Sequence, residues 1–426
     1  MRGAVPLRWK AYGGLVTAAS WLHYAVLSRF SRSDEGGTAW FLRRLSPPLP
    51  QPASGRRIWI HAVSAGESKV ADLLRQRLVA LDPSLSVVLS ATTYSGYARV
   101  SAIAGEAASF IMPLDTLEAQ QRIFETVRPD LLVLVESEFW PAQFAAAAAA
   151  GVPVVVVNAT MSPRSFARHR RNPVVANRTL AKARRIYAQD EAIAARYVEL
   201  GVPRERVEVV GNLKLVPLQR AMPTGKDTPP LIAFGNIHRD EIEALAPAIA
   251  ALRLQRPDAK LVLVPRYPGK TPGEVLSASF GAELAIVDNE AAIAEAGGLV
   301  WLDQMGTLSR VYGRASIGVV CGTFSPIGGH DLSEPLHLGA ASVYGPFVER
   351  QKPLHAALSA MGCAVQVRGA DELPQVVLEL LEDDARRQRM VEAFRGVAEQ
   401  AAERLDTLAS SLVAQVEAPA RADPHP

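Results

Sequence analysis

From Arg57 onward the chain alternates short apolar runs with longer amphipathic stretches, the pattern of βαβ units around a parallel sheet. The runs Arg57–His61, Ser86–Ser90, Leu131–Val135 and Val152–Val157 are β-branched and nearly unbroken by polar residues, as strands covered on both faces require. Helical spacing returns between them, over Lys69–Leu81 and Thr116–Val127. The passage Pro217–Pro230 carries proline and glycine without apolar periodicity and predicts an interdomain linker. Beyond it the alternation restarts, with strands expected at Leu231–Phe234, Lys260–Val264, Leu299–Leu302, Ile317–Cys321 and Ala341–Tyr344. From Leu373 the pattern is helical and charge-rich, in segments Glu379–Ala398 and Ala402–Val416, before a proline-bearing tail from Ala418. These patterns predict an α/β protein of two doubly wound domains, with a ligand cleft between them at the carboxyl ends of the strands. The expected boundaries are an anchoring segment over 1–35, a first domain over 36–216 and the linker over 217–230. A second domain over 231–400 follows, then a C-terminal helix and tail over 401–426.

Length supports two domains, because 426 residues exceed what one ordinary core holds. With 49% apolar and 21% charged residues the chain is of globular composition, which excludes global disorder. Its 46 basic and 43 acidic residues balance too evenly for a general nucleic-acid binder. Cys321 and Cys363 lie in apolar stretches without metal-ligand spacing and read as small core residues of a reducing compartment. The N-terminus changes the picture more. Ala11–Leu27 is a mostly apolar run at the lower edge of spanning length, flanked by basic residues on both sides. Gly13, Gly14 and His23 weaken a stable span, so a short anchor, a helix in the headgroup layer and a packing helix all suit it. Membrane contact is the expectation.

Candidate chemistry falls where strands end. Ser64, Gly66 and Glu67 follow the first strand, and a small turn there lets backbone N–H groups approach a ligand. Glu67 at the start of the next helix can act as a general base toward a hydroxyl, or can simply cap the helix. Glu136 and Glu138 follow Leu131–Val135, placed either to orient an acceptor or to pair with basic loop residues. Asn158, Ser162, Arg164 and Ser165 lead into Arg168-His169-Arg170-Arg171, a segment suited to an anionic acceptor or to a solvated basic face. In the second half, Gly328, Gly329, His330 and Glu334 form the sharpest motif, with Arg266 at an upstream strand end. A turn into a helix there would offer backbone N–H groups to a nucleotide phosphate, with His330 and Glu334 four apart on one helix face. Glu334 could accept the ribose hydroxyls, and Pro335 places the motif in a first helical turn. No Asp-x-Asp follows a strand, so no metal is expected and the leaving nucleotide is stabilised by dipoles and basic side chains.

The runs I-H-A-V-S-A-G-E (60–67), A-T-T-Y-S-G (91–96), E-S-E-F-W-P (136–141) and N-A-T-M-S-P-R-S (158–165) resemble the Kdo (3-deoxy-octulosonate) transferase family. So do G-N-L-K (211–214), V-P-R (264–266), D-Q-M-G (303–306) and G-G-H-D-L-S-E-P (328–335), in order along the chain. The resemblance implies a GT-B fold of two Rossmann-like domains, with the acceptor in the first and the donor in the second. It implies an inverting, metal-independent transfer of Kdo from CMP-Kdo to an anionic lipid A precursor at the cytoplasmic face of a bacterial inner membrane. By resemblance Glu67 is the base, Glu136 or Glu138 the supporting acid, and Arg266, Gly328, Gly329, His330 and Glu334 the CMP-binding elements. The chain departs from the family's usual pattern at Thr160, Tyr267, Thr307, Asp331 and around Arg350-Gln351.

Overall fold

The computed structural model describes residues 6–30, 37–53, 55–137, 139–171, 179–217 and 226–417. They form two compact units, one of residues 1–218 with 400–426 and one of residues 219–399. Of the expected linker, residues 218–225 lie outside the described residues.

The first unit is built on seven parallel strands: β1 (Arg57–His61), β2 (Ser86–Ala91), β3 (Ser109–Ile111), β4 (Leu131–Val135), β5 (Val154–Ala159), β6 (Arg185–Ala188) and β7 (Val207–Val209). Their order is β3-β2-β1-β4-β5-β6-β7. The central strands β1, β4 and β5 are buried at every position, which explains their continuous apolar character. Register pairs Ile58 with Leu131 and Trp59 with Leu132. The wholly buried Trp59 meets Phe110 and Phe124 at 5.4 and 5.6 Å between ring centroids, in the aromatic centre of the core.

The second unit repeats the plan with β8 (Leu231–Ile237), β9 (Lys260–Pro265), β10 (Ala285–Val287), β11 (Leu299–Leu302), β12 (Ile317–Val320), β13 (Ala341–Tyr344) and β14 (Ala364–Gln366). Here the order is β10-β11-β9-β8-β12-β13-β14, again parallel. Alternate residues of β8 serve opposite faces: Ile232 and Phe234 join one apolar cluster, Leu231 and Ala233 the other. The chain is thus α/β with two Rossmann-like sheets, as expected. The strands that the pattern did not reveal, β3, β6, β7, β10 and β14, lie at or next to sheet edges and have three or four residues each. Such strands lack the long two-sided burial that marks a central one.

One expectation here needs correction. The C-terminal region breaks at Asp383, not between residues 398 and 402, and continues as one helix, Asp384–Glu417. Buried Phe394, Ala398, Ala401, Leu405, Leu408 and Leu412 recur every three or four residues, so the apolar stripe never lapses. The carboxylate of Asp383 accepts the Arg386 N–H at 2.7 Å and starts that helix. The helix Leu7–Phe30 forms, yet among the described residues no helix is long and apolar enough to cross a membrane.

One side of that N-terminal helix docks on the first unit. Trp9 and Tyr12 pack against its core, and the Tyr12 hydroxyl donates to Asp115 at 2.7 Å. Asp115 is buried and also accepts the N–H groups of Ala142 and Gln143 at the start of the helix Pro141–Ala149. Burial pushes the Asp115 carboxyl up, against those three donors. Leu7, Leu15, Trp21, Leu22 and Val26 remain exposed on the same helix.

His61 ends β1 in full burial, its Nδ1 2.8 Å from Ser90 Oγ. Burial, then the Arg44 charge, hold its imidazole down to about 3. An unfolded chain protonates this ring near 6.5, so between those values the unfolded state binds more protons and acid lowers stability. We expect this group alone to cost roughly 3 kcal/mol between pH 6.5 and 4. Thermal melts across that range should show a steep loss in the wild type and a shallower slope in His61→Asn.

Candidate functional site

Strand order reverses once in each sheet, between β1 and β4 and between β8 and β12. Loops leaving the carboxyl ends of strands at such a switch point form the usual ligand site of an open α/β sheet. The residues singled out from sequence concentrate in these two places.

In the first unit β1 runs through Ser64, in extended conformation, into the helix Ala65–Leu81. Glu67 is the third helical residue and half-buried; its Oε2 accepts the Val63 N–H at 2.6 Å and its Oε1 the Ser64 hydroxyl at 3.1 Å. The capping role is therefore real. It also fixes the carboxylate at the strand's carboxyl end. The A-T-T-Y-S-G run supports this turn: Thr93 donates to the Val63 carbonyl through N–H (2.9 Å) and hydroxyl (3.0 Å). Gly96 fits because a Cβ there would lie 2.9 Å from both the Thr93 hydroxyl and the Val63 carbonyl. Gly66 is different. It is exposed, and an added Cβ would meet only Ser64 Oγ, at 3.8 Å.

At the end of β4 the backbone of Glu136 turns left-handed, φ 67°, as does Asn158 at φ 51° in β5. Asn158 is fully buried; its Oδ1 accepts the Leu213 N–H at 2.9 Å and its Nδ2 approaches Glu136 Oε1 at 3.4 Å. Lys214 forms an ion pair with the same Glu136 oxygen. Glu136 is thus tied to a basic loop residue, one of the two roles its sequence left open. Asn158 acts from beneath, holding Glu136 and the 213–214 turn. Lys214 was visible only as the end of G-N-L-K, and Glu138 lies outside the described residues.

The basic segment folds as the helix Pro163–Arg171, with the Ser162 hydroxyl accepting the Ser165 N–H at 3.1 Å as its cap. Arg170 pairs with Glu199 at 3.6 Å and His169 lies edge-on to Phe139, while Ser162 and Arg164 are exposed. Cap and cation face coexist here.

In the second unit Gly322, Gly328 and Gly329 all have positive φ, and the Gly329 N–H bonds the Gly322 carbonyl at 2.8 Å. A Cβ on Gly322 would sit 2.6 Å from the His330 ring, and one on Gly328 2.8 Å from Arg350 Cγ. Below this turn lies buried Glu241. Its carboxylate accepts N–H groups from Gly322 (2.7 Å), Phe324 (2.8 Å) and His238 (3.0 Å), fixing the loops after β12 and β8 together. His238 and His330 stack, with their Nε2 atoms 2.8 Å apart. Tyr267 stands edge-on to His238, and the Arg266 guanidinium lies 5.6 Å from the Tyr267 ring centre.

The shared-face reading of His330 and Glu334 is overturned. The helix comprises only Glu334–His337, and His330 belongs to the irregular turn before it. Pro335 carries no N–H and is accommodated only in a first turn, so the helix begins just before it, as expected for that proline. Glu334 instead accepts the Ser309 hydroxyl at 3.3 Å. So short a helix brings little dipole, and side-chain cations supply the positive field instead. Burial first, then His238, Arg266 and Arg350, hold His330 down to about 4. Burial and Arg266 likewise depress His238, with Arg350 adding and Asp240 opposing. Both imidazoles are then neutral at pH 7, and one Nε2–H donates to the other Nε2. Glu241 carried no local motif, and Arg350 stood only in a segment that departs from the family's pattern; His238 and His330 meet across 92 positions of sequence. Among the described residues no group of three His, Cys, Asp or Glu side chains is placed to hold a metal ion.

Residues 38–216 match the family described as 3-deoxy-D-manno-octulosonic-acid transferase (kdotransferase). The 3-deoxy-D-manno-octulosonic acid transferase of Bordetella pertussis is 30% identical over 416 residues, covering 93% of each chain. That of Chlamydophila psittaci is 27% identical, covering 73% of this chain and 74% of its own. Among solved structures, the UDP-GlcNAc 2-epimerase from Neisseria meningitidis superposes with a TM-score of 0.50 at 14% identity, covering 84% of this chain and all of that one, a likeness of fold alone. The strand-end motifs, the paired α/β units and a relative matched along almost its whole length place the chain in the 3-deoxy-D-manno-octulosonic acid transferase family of glycosyltransferases.

Proposed function

We propose that this protein is an inverting glycosyltransferase that moves Kdo from CMP-Kdo to a lipid A precursor in lipopolysaccharide synthesis. One observation carries the reading. The motifs of a Kdo transferase fall on the switch points of two parallel sheets, a carboxylate at one and a hydrogen-bonded pair of imidazoles at the other. Glu67 takes the proton from the acceptor hydroxyl as its oxygen attacks the anomeric carbon of Kdo. The bond from that carbon to the phosphate oxygen breaks, and CMP leaves with the electron pair. Arg266, with the His238–His330 pair, stabilises the departing phosphate, and Glu334 receives the ribose hydroxyls. Lys214, Glu136 and Asn158 hold the β4 turn beside the base. The exposed apolar side of Leu7–Phe30, with the basic face of Pro163–Arg171, suits an anionic lipid surface and supports action at the cytoplasmic face of the inner membrane.

Titration with CMP and with UDP tests the donor assignment: CMP should bind in the micromolar range and UDP at least about tenfold more weakly. Equal affinity for the two would remove the cytidine assignment. Gly66→Ala tests the acceptor side. The chain leaves room for the methyl, and alanine favours a helix by about 1 kcal/mol, so melting should hold or rise. The acceptor KM should nevertheless increase several-fold, because the methyl occupies space at the strand end. An unchanged KM would place the acceptor elsewhere.

A further inference from the structure

We propose that Asp115 is a positioning residue for the acceptor: it ties the seating of the helix Leu7–Phe30 to the start of the helix Pro141–Ala149, and so sets the segment that follows Glu136. The assignment rests on the acceptor reading above and deepens it. It starts from a helix without a cap of its own. Trp140 holds the N-cap position of Pro141–Ala149 and supplies no side-chain hydrogen bond, and Pro141 has no N–H to satisfy. The next two donors, the Ala142 and Gln143 N–H groups, both go to Asp115, at 3.0 and 2.9 Å, across 27 and 28 positions of sequence. A carboxylate from another part of the chain thus does what a Ser or Asp beside the helix usually does. The segment from Glu136 to Pro141 is thereby held at both ends, by Lys214 and Asn158 at Glu136 and by Asp115 at the helix start.

The third bond on Asp115 comes from the N-terminal helix. Asp115 Oδ2 accepts the Tyr12 hydroxyl at 2.7 Å as well as the Ala142 N–H, so a single oxygen joins the two helices. Tyr12, Val16, Ser20 and Tyr24 recur every four residues and form the inward, partly buried side of Leu7–Phe30. Val16 and Ser20 line one crevice together with Asp115 and Trp140. The Tyr24 hydroxyl accepts from the Arg44 guanidinium at 3.1 Å. Arg44 is itself buried and also donates to the Met112 and Pro113 carbonyls, which fixes the approach to Asp115. Packing alone would need neither buried charge, since each is costly without hydrogen-bond partners. Here the partners are two tyrosines of one helix and the backbone leading to, or starting at, the acceptor side. Leu15, Trp21 and Leu22, exposed on the outward side, therefore belong to an element hydrogen-bonded to that backbone through one carboxylate.

Two variants of the full chain, Asp115→Asn and Tyr12→Phe, test the link. Asparagine keeps one oxygen for an N–H but turns an NH2 toward the remaining donors. Phenylalanine keeps the ring and removes only the hydroxyl, so it decides the matter should Asp115→Asn fail to fold. The readouts are hydrogen exchange at Ala142 and Gln143, KM and kcat for lipid A precursor in CMP release, and CMP affinity by calorimetry. In Asp115→Asn both amides should exchange at least about tenfold faster and the precursor KM should rise about tenfold, with kcat and CMP affinity within about twofold. Tyr12→Phe should move exchange and KM in the same direction by about threefold. Faster exchange with an unchanged KM would make Asp115 a packing group and overturn the proposal. Unchanged exchange in Tyr12→Phe, or CMP affinity falling in step with the rise in KM, would overturn it too. A wild-type protein that releases no CMP with lipid A precursor would defeat the acceptor reading itself, a result distinct from each of these.

Discussion

Glu67→Gln should reduce Kdo transfer by about a hundredfold to ten-thousandfold while leaving CMP affinity and folding in place. The amide keeps the shape of the carboxylate. Its oxygen can still accept the Val63 N–H, and its NH2 can donate to the Ser64 hydroxyl, so the turn survives the change. What disappears is basicity. An amide cannot take the acceptor's proton, so the loss should fall on kcat rather than on CMP binding. Steady-state CMP release, calorimetry with CMP and a thermal melt measure the three quantities. Transfer surviving at wild-type rate would show that Glu67 is only a cap.

The second large effect is on stability. Glu241→Ala should destabilise the unit of residues 219–399 by about 3–6 kcal/mol, because three backbone N–H groups lose their buried acceptor. Each such orphan donor costs about 1–3 kcal/mol. Glu241→Gln should be milder, since one oxygen remains, but its NH2 faces donors and cannot restore the set. Hydrogen exchange reads this locally: amides of residues 322–330 should lose protection in Glu241→Ala. Protection should persist in the β1 and β4 strands of the other unit. Unchanged exchange over 322–330 would mean that the loop is held by something other than this carboxylate.

Much of this protein is legible in its sequence, and what is not has identifiable physical causes. Central strands announce themselves because both faces are buried; Arg57–His61 and Leu131–Val135 were bounded correctly to the residue. Edge strands such as Ala285–Val287, half exposed and three residues long, leave no such trace. The C-terminal helix was divided in the wrong place because charged residues crowd its surface while the buried stripe continues underneath. In the candidate site, local motifs located Glu67, Arg266 and the Gly328-Gly329 turn. Spacing rules failed at His330 and Glu334, because an i,i+4 argument presumes a helix already running at His330, whereas Pro335 sits in the first turn of a helix that starts at Glu334. Lys214, His238, Glu241 and Arg350 meet their partners through long-range contacts, and single-sequence reading has no rule for these. Glu67 shows another limit, since capping and catalysis ask for the same residue at the same helical position.

Purified protein incubated with CMP-Kdo and lipid A precursor in anionic vesicles should give, by mass spectrometry, a lipid heavier by one or more Kdo residues and an equal amount of CMP. An unmodified lipid, with CMP-Kdo consumed no faster than in buffer, would contradict it.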